Sequence, residues 1–273
     1  MRAQKIKLRV MEICTWIFSL VVLIPLLLIV VNAFKTPAET AILTLKLPQE
    51  WQFSNFSDIF AKTNIVRAFL NSVLITVASV GGSVLLGTTA GYVLSRRRDS
   101  FNNKVYAFFL IGMIVPVQII ALVEMLQTIH MMDSYIGMIM VYIGMFIPQT
   151  VFLVYGFVGS LPQEMDEAGI MDGCSAIRLF VKIMLPLMKP VVVTLFITQF
   201  VFVWNDFQLP LYLIKSSSRW TIVLGVYNFL GQYSSQWNMV CAYILVSSAP
   251  VVLVYLMGQK YIIDGMVAGA VKG

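Results

Sequence analysis

The stretch from Ser160 to Pro190 holds the residues of this chain whose types and spacing point most directly to a function. Glu164, Asp166 and Glu167 place three carboxylates within four positions. Carboxylates pair with arginine in a bidentate, geometrically specific way. A helix that rests on a lipid surface usually carries mostly basic residues on its polar face instead. The pattern therefore favours a surface that contacts basic residues of a partner protein.

The chain lacks the common sequence signatures of catalysis. It has no Walker-type G-x4-G-K-[ST] sequence for binding ATP, and neither an H-E-x-x-H nor a G-x-S-x-G motif. The single histidine, His130, has no evident triad partners, and Cys14, Cys174 and Cys241 show neither disulfide nor metal-site spacing. We therefore expect no enzymatic activity and no cofactor or metal bound by this chain.

Local signals predict two short helices between Ser160 and Pro190. Ser160 is a candidate N-cap with Gln163 as its capping-box partner, so the first helix should begin there. Asp172-Gly173 should end it, because glycine readily adopts the left-handed conformation that follows many helices. Cys174-Ser175 can start the second helix. Its apolar face is predicted at i, i+3, i+4 and i+7, from Ile177, Phe180, Val181 and Met184.

The rest of the chain has the composition of an integral membrane protein. Hydrophobic residues make up 59% of its 273 residues and charged residues only 12%, and the mean hydropathy is +0.85. A membrane-spanning helix needs roughly 20 apolar residues. The sequence contains six such segments, at about 13–34, 68–95, 105–126, 135–158, 187–210 and 239–259. We therefore predict an all-α fold with six transmembrane helices.

The distribution of basic residues predicts the topology. If the N-terminus is inside, the inner segments hold 13 of the 19 lysines and arginines, and the outer connections hold six. Cationic flanks are retained in the cytoplasm, so both termini and the 160–190 stretch should be cytoplasmic. Segment 13–34 is then a retained anchor rather than a signal peptide. No clustered basic face with interleaved aromatic residues indicates a nucleic-acid partner.

Polar and small residues in two segments bear on a transport pathway. Asn205 and Asp206 lie late in the fifth segment, where polar groups are costly unless they face a partner or a wet cavity. They are pathway candidates, with helix packing or loop stabilisation as the alternative. In the second segment, small residues that permit close backbone approach recur four apart, at Ser79, Ser83, Gly87 and Gly91.

The 160–190 stretch resembles the "EAA" loop, E-A-A-x3-G-x9-I-x-L-P, of membrane subunits of ABC-type importers. The matching residues are Glu167, Ala168, Gly173, Ile183, Leu185 and Pro186. The chain is similar throughout to carbohydrate-uptake ABC permeases, most closely the second permease subunit of maltose-type systems. The C-terminal string from Gly265 to Gly273 is the other specific likeness. Gly169 departs from the pattern, which usually has alanine there, and this departure should leave the surface that faces the partner a methyl smaller.

The resemblance implies a type I ABC importer permease in a prokaryotic cell membrane. It implies a second related permease, two copies of an ATPase that carry ATP and Mg, an extracytoplasmic sugar-binding protein and surrounding lipid. By likeness, Glu167 pairs with an arginine of the ATPase, and Trp204 is a pathway residue that stacks on a sugar or anchors the helix. The ATPase-coupling residues are then Glu164, Asp166, Glu167, Ala168, Gly169, Gly173, Ile177, Ile183, Leu185 and Pro186, with tail contacts from Gly265, Gly269, Lys272 and Gly273.

This resemblance divides the chain into four parts and leaves alternatives open. The parts are a tail and anchor helix at 1–34, an outer loop at 35–67, a transport domain at 68–260 with its coupling loop at 160–190, and a cytoplasmic tail at 261–273. The cargo of such a permease half can also be glycerol phosphate or a polyol. The alternatives from other classes are an ATP-independent carrier and a membrane scaffold without a pathway.

Overall fold

A computed structural model describes residues 2–97, 99–231 and 236–270, and no β-strand occurs in those ranges. The all-α fold class is therefore confirmed. The helices are α1 (Arg2–Ala33), α2 (Ser54–Lys62), α3 (Ile65–Arg96), α4 (Ser100–Ile114), α5 (Ile119–Thr128), α6 (Tyr135–Val158), α7 (Glu164–Met171), α8 (Ala176–Leu179), α9 (Leu185–Leu187), α10 (Lys189–Asn205), α11 (Gln208–Leu213) and α12 (Trp237–Ala270). A π-helical turn (Phe180–Met184) joins α8 to α9, and 3-10 turns cover Ser217–Arg219 and Leu224–Phe229.

Four helical stretches within the described ranges are long and apolar enough to cross a membrane: Met11–Ala33, Ile65–Arg96, Tyr135–Val158 and Trp237–Gln259. Two bent helix pairs raise the number to six if each pair is one span. These six elements match the six segments expected from the sequence. The six-span count and the side of each terminus remain predictions.

The third and fifth expected segments are bent rather than straight. The pair α4 and α5 bends by 116° around residues 115–118, where Val115 is extended and Pro116 follows it. Proline has no N–H to continue the helical ladder, and it disfavours helical backbone in the residue before it. The chain also bends by 75° between Ala176–Leu187 and α10. Pro148 and Pro250, in contrast, lie inside continuous helices.

The chain divides into two compact units. One combines the first 66 residues with Ile222–Ala249, and the other combines Arg67–Thr221 with the chain from Pro250 onward. In the first unit, most of the Met11–Ala33 span is exposed, while Asn32 and Ala33 at its end are buried. Hydrogen bonds hold the connection that follows. The buried Lys35 Nζ donates to Asn32 Oδ1 (3.1 Å) and to the carbonyl of Thr44 (2.7 Å). Asn55 Nδ2 donates to the carbonyls of Ala33 and Lys35.

The core of the second unit packs α3 against α6 through the small residues of α3. A Cβ at Gly87 would lie 2.5 Å from Thr150 Cβ, and one at Gly91 would lie 2.9 Å from Val154 Cβ. The two glycines are therefore required for close helix packing within this unit. A buried polar triad lies beside them: Ser83 Oγ donates to Gln199 Oε1 (2.9 Å), and Gln199 Nε2 donates to Thr150 Oγ1 (2.8 Å). The triad links α3, α6 and α10.

Candidate functional site

The paired-helix loop, residues 160–190, forms two short helices joined by a tight turn, as the sequence predicts. Gly173 has φ of +75°, the left-handed conformation expected after Asp172. Its N–H bonds to the carbonyl of Ile170 (2.9 Å), and the N–H of Cys174 bonds to that of Gly169 (3.0 Å). These two bonds form a Schellman motif, which satisfies the last carbonyls of α7. The turn therefore sets a defined angle between the two helices.

The second helix of the loop begins where the sequence predicts, at Cys174-Ser175, but the first does not begin at its predicted N-cap. Ser175 caps α8, since its Oγ accepts from the N–H of Arg178 (3.4 Å). The capping box at Ser160 is wrong: α7 begins at Glu164, and Ser160 Oγ instead donates to the carbonyl of Phe157 (2.6 Å). Ser160 lies in the turn that directly follows α6, where its N–H and its hydroxyl both donate to the carbonyl of Phe157.

The second helix of the loop runs from α8 through the π-helical turn to α9. Its buried face differs from the predicted one. Leu179 and Met184 are buried, while Ile177 is 78% exposed and Val181 is also exposed. The prediction assumed 3.6 residues per turn throughout, but Phe180–Met184 forms a π-helical turn, which takes up an extra residue. The register therefore shifts, and Ile177 and Val181 remain on the surface.

Gly169 lies at the contact between the two helices of the loop and not on the partner-facing surface, so the sequence-based interpretation of its missing methyl is wrong. A Cβ at Gly169 would lie 2.5 Å from Leu179 Cδ1 and 3.1 Å from Ile183 Cδ1. Glycine thus allows α7 to pack directly on the second helix. Leu185 is half-buried in the same region, and Pro186 is exposed.

Asp166 is buried within the chain, which contradicts its assignment as a contact for an ATPase arginine. Its Oδ2 lies 2.7 Å from Nη2 of Arg96, and its Oδ1 accepts from the hydroxyl of Tyr92 (2.6 Å). Arg96 Nη1 also donates to the carbonyls of Val158 (3.2 Å) and Leu161 (3.1 Å). Asp166 therefore ties α7 to the C-terminal end of α3.

The exposed surface of the loop combines carboxylates with large apolar side chains. Glu164, Glu167 and Ala168 are exposed, and so are Ile170 and Met171, the latter by 86%. An apolar patch with carboxylates beside it is typical of a surface that docks into another protein. Of the predicted coupling residues, Glu164, Glu167, Ala168 and Ile177 are therefore exposed, and their contact with an ATPase stays a prediction.

Trp204 is 2% exposed, so it is not placed to stack on a sugar or to anchor the helix at a membrane surface. Its ring packs edge-on against Phe69, with centroids 5.7 Å apart, and stacks with Phe200 at 5.6 Å. Aromatic pairs at such distances stabilise a packed core. Trp204 is therefore a packing residue of the second unit.

Asp206 and Asn205 make local bonds at the end of α10. Asp206 Oδ1 accepts from the backbone N–H of Gln208 (2.9 Å), and its Oδ2 accepts from the hydroxyl of Tyr142 (2.8 Å). Asp206 thereby stabilises the start of α11 and connects it to α6. Asn205 is exposed and donates to the carbonyl of Val201 (2.8 Å). These contacts favour the loop-stabilising alternative for Asp206, and a pathway role for Asn205 remains a prediction.

The predicted tail contacts fall at the edge of the described chain. Gly265 and Gly269 lie in α12, which extends to Ala270. Lys272 and Gly273 lie outside the described residues. In the described ranges, no group of three or more His, Cys, Asp or Glu side chains is arranged to hold a metal ion.

The functional contacts that sequence reasoning missed are those of α3 with the loop. Tyr92 and Arg96 are four residues apart, so they share one helix face. That spacing, close to the end of the row of small residues on α3, is a signal that could have singled them out. Nothing in the sequence indicates that their partner is Asp166, because 70 residues separate the two segments.

Comparisons with known proteins identify similar chains. The model of the family described as "Binding-protein-dependent transport system inner membrane component" matches residues 83–263. The chain is 33% identical over 258 residues to the probable starch degradation products transport system permease protein AmyC of Thermoanaerobacterium thermosulfurigenes, covering 94% of each chain. It is 30% identical to the melibiose/raffinose/stachyose import permease protein MelC of Bacillus subtilis (strain 168), covering all of both. A chain in the crystal structure of a bacterial ABC transporter involved in alginate import matches with a TM-score of 0.84, at 20% identity over 96% of this chain and 98% of that one; this likeness concerns the fold.

Proposed function

The chain belongs to the family of binding-protein-dependent transport system inner membrane components, and from this premise we propose that it forms half of a transmembrane pathway for a sugar or oligosaccharide. The energy comes from a separate ATPase subunit that docks on the paired-helix loop. The chain is a multi-pass membrane protein, and its location is a prokaryotic cell membrane. It catalyses no reaction itself and binds no cofactor, since ATP and Mg are bound by the partner.

The observation that carries the proposal is the construction of the paired-helix loop. Its inner side is closed by the packing of Gly169 on Leu179, and its outer side presents Glu167 beside the exposed Ile170 and Met171. A compact helix pair transmits displacement, whereas a flexible loop would absorb it. Glu167 then pairs with an arginine of the ATPase, and the apolar side chains fill the cleft around that pair.

In this mechanism, ATP closes two ATPase subunits and moves the loops seated in them. The membrane helices of this chain and of a second, related permease then change from inward-open to outward-open. An extracytoplasmic binding protein delivers the cargo to the open side. The C-terminal residues from Gly265 onward form a further contact with the ATPase.

The cargo class is inferred from the relatives. The names of the two similar permeases refer to starch degradation products and to melibiose, raffinose and stachyose. Both relatives match along almost the whole chain, which supports a carbohydrate cargo here. Glycerol phosphate and polyols remain the competing cargoes, because permeases with this type of loop also serve them.

Two measurements test the proposal. The chain is tagged in the cell that produces it naturally, and it is purified from the membrane together with the proteins bound to it. The ATPase should co-purify in a fixed ratio, and Glu167→Ala should reduce that ratio, whereas Asp58→Ala in the outer connection should not. A screen of mono- and oligosaccharides, polyols and glycerol phosphate on the binding protein identifies the cargo. Solute flux through the chain without any ATPase would instead establish a carrier.

A further inference from the structure

We propose that Tyr92, Arg96 and Asp166 form a brace, which makes the paired-helix loop move together with α3 and α6 as one body. The inference rests on the proposed function, because the brace transmits force only if force enters through the loop. It assigns to Asp166 a role in transmission within this chain, distinct from the docking role of the exposed Glu167 beside it.

The burial of Asp166 fixes the rotation of α7 about its axis. Glu164 and Glu167 point to solvent, while Asp166 points inward and is bound on both oxygens, by Tyr92 and by Arg96. A buried carboxylate is costly unless it is paired, and removing one partner leaves an uncompensated charge. Any rotation of α7 that turned Asp166 away from Arg96 would therefore also strand the guanidinium, which is itself largely buried.

Arg96 fixes the connection between α6 and α7. From α3, its Nη1 reaches the carbonyls of Val158, at the end of α6, and of Leu161, in the short connection that follows. The planar guanidinium can bind these carbonyls and the carboxylate of Asp166 at once, which a lysine ammonium does not reproduce with the same geometry. Hence the connection is held at both ends and cannot act as a free hinge.

The same region of α3 also contacts the second helix of the loop and α6. The ring of Tyr92 lies 5.3 Å from that of Phe180, and Ser95 Oγ donates to the carbonyl of Tyr155 (3.0 Å). Because α7 also packs on the second helix at Gly169, neither helix of the loop can move without the other or without α3. A displacement of the loop therefore reaches α3 and α6 together, in addition to α10, into which the chain continues.

The test uses the complete transporter, with its partner permease, ATPase and binding protein, in lipid nanodiscs. Spin labels are attached at Val181→Cys and Leu85→Cys, two exposed positions on the loop and on α3, after Cys14, Cys174 and Cys241 have been replaced by serine. Double electron–electron resonance measures the distance between the labels without nucleotide and after trapping with ATP and vanadate. Both states contain the binding protein together with the cargo that the ligand screen identifies.

With the native brace, the distance distribution should be narrow and the same in both states. In Asp166→Asn and in Tyr92→Phe it should broaden and shift on trapping, while the amount of co-purified ATPase stays within about twofold of native, a factor of two being a small free-energy change. Asp172→Asn, which neutralises an exposed carboxylate of the same loop, should behave as native.

Two results would overturn the inference. The first is a native distance that itself shifts on trapping, because the loop and α3 would then move separately. The second is an unchanged distance distribution in Tyr92→Phe, a mild variant that retains the aromatic ring. This result would count even if Asp166→Asn failed to fold. Failure of the native chain to retain the ATPase would be a different result, since it would refute the proposed function and remove the basis of the brace.

Discussion

Replacing Gly169 by alanine should destabilise the paired-helix loop, even though alanine is the better helix former. The substitution gains up to about 1 kcal/mol in helix propensity. The added Cβ would lie 2.5 Å from Leu179 Cδ1 and 3.1 Å from Ile183 Cδ1, which are both terminal methyl groups. A free side-chain end could move away at little cost, but Leu179 is only 5% exposed, and relieving overpacking in a core costs about 1–3 kcal/mol. The difference of the two terms is a net loss of up to about 2 kcal/mol. This sign is opposite to the one that helix propensity alone predicts.

A double-mutant cycle isolates the packing part of this effect. Leu179→Ala removes the atom that Gly169→Ala would strike, so alanine at 169 should then cost little or even stabilise α7. The coupling energy between the two substitutions should be about 1–3 kcal/mol, the full overpacking cost. Hydrogen–deuterium exchange of the amides in residues 164–171 measures the local opening free energy of α7 in each variant.

Gly144→Ala serves as the matched control. Gly144 lies in α6, and a Cβ there would meet no heavy atom within 4 Å, so this substitution should be neutral or stabilising. The reasoning is refuted if Gly169→Ala slows exchange in α7 on its own, or if the effects at 169 and 179 add to within about 0.5 kcal/mol.

Two further predictions concern stability elsewhere in the chain. Gln199→Leu removes the buried amide between Ser83 and Thr150, so it should cost about 1–3 kcal/mol of unfolding free energy, and Asn205→Leu, at an exposed amide, should cost clearly less in the same denaturant titration. Bonds from the backbone N–H and the side chain of Asn102 hold the pKa of the Asp99 carboxyl below its ordinary value. The stabilisation of α4 by charged Asp99 is therefore present above an unfolded pKa of about 4 and is lost as the pH falls through the lower folded value. A carboxyl NMR titration of Asp99 that shows an ordinary or raised pKa would contradict this assignment.

Properties that depend on composition and on neighbours along the chain were predictable from the sequence. Six apolar segments follow from hydropathy, since every lipid-crossing helix must be apolar over a minimum length. The turn at Gly173 and the cap at Ser175 are also local, because the bonds that define them join residues at most five positions apart. The family resemblance depended on the same short stretch, where residue types and spacing are read directly.

Features that depend on helix packing were not predictable in this way. The direction in which Asp166 points follows from Arg96 and Tyr92, some 70 positions earlier in the sequence. The assignment of Trp204 as a sugar-stacking or anchoring residue failed for the same reason, because the Phe69 ring that covers one side of it belongs to another helix. Even the shifted face of the second helix results from a π-helical turn, which an average periodicity does not represent.

The sequence by itself therefore determined that this is a helical membrane protein with a paired-helix loop, for which it predicts docking on a partner. Only the tertiary structure decided which carboxylates of that loop are exposed and which one holds the loop to α3. The physical reason is that hydropathy and turn preferences are properties of single residues and short segments, whereas the pairing of a buried charge exists only once distant segments have come together.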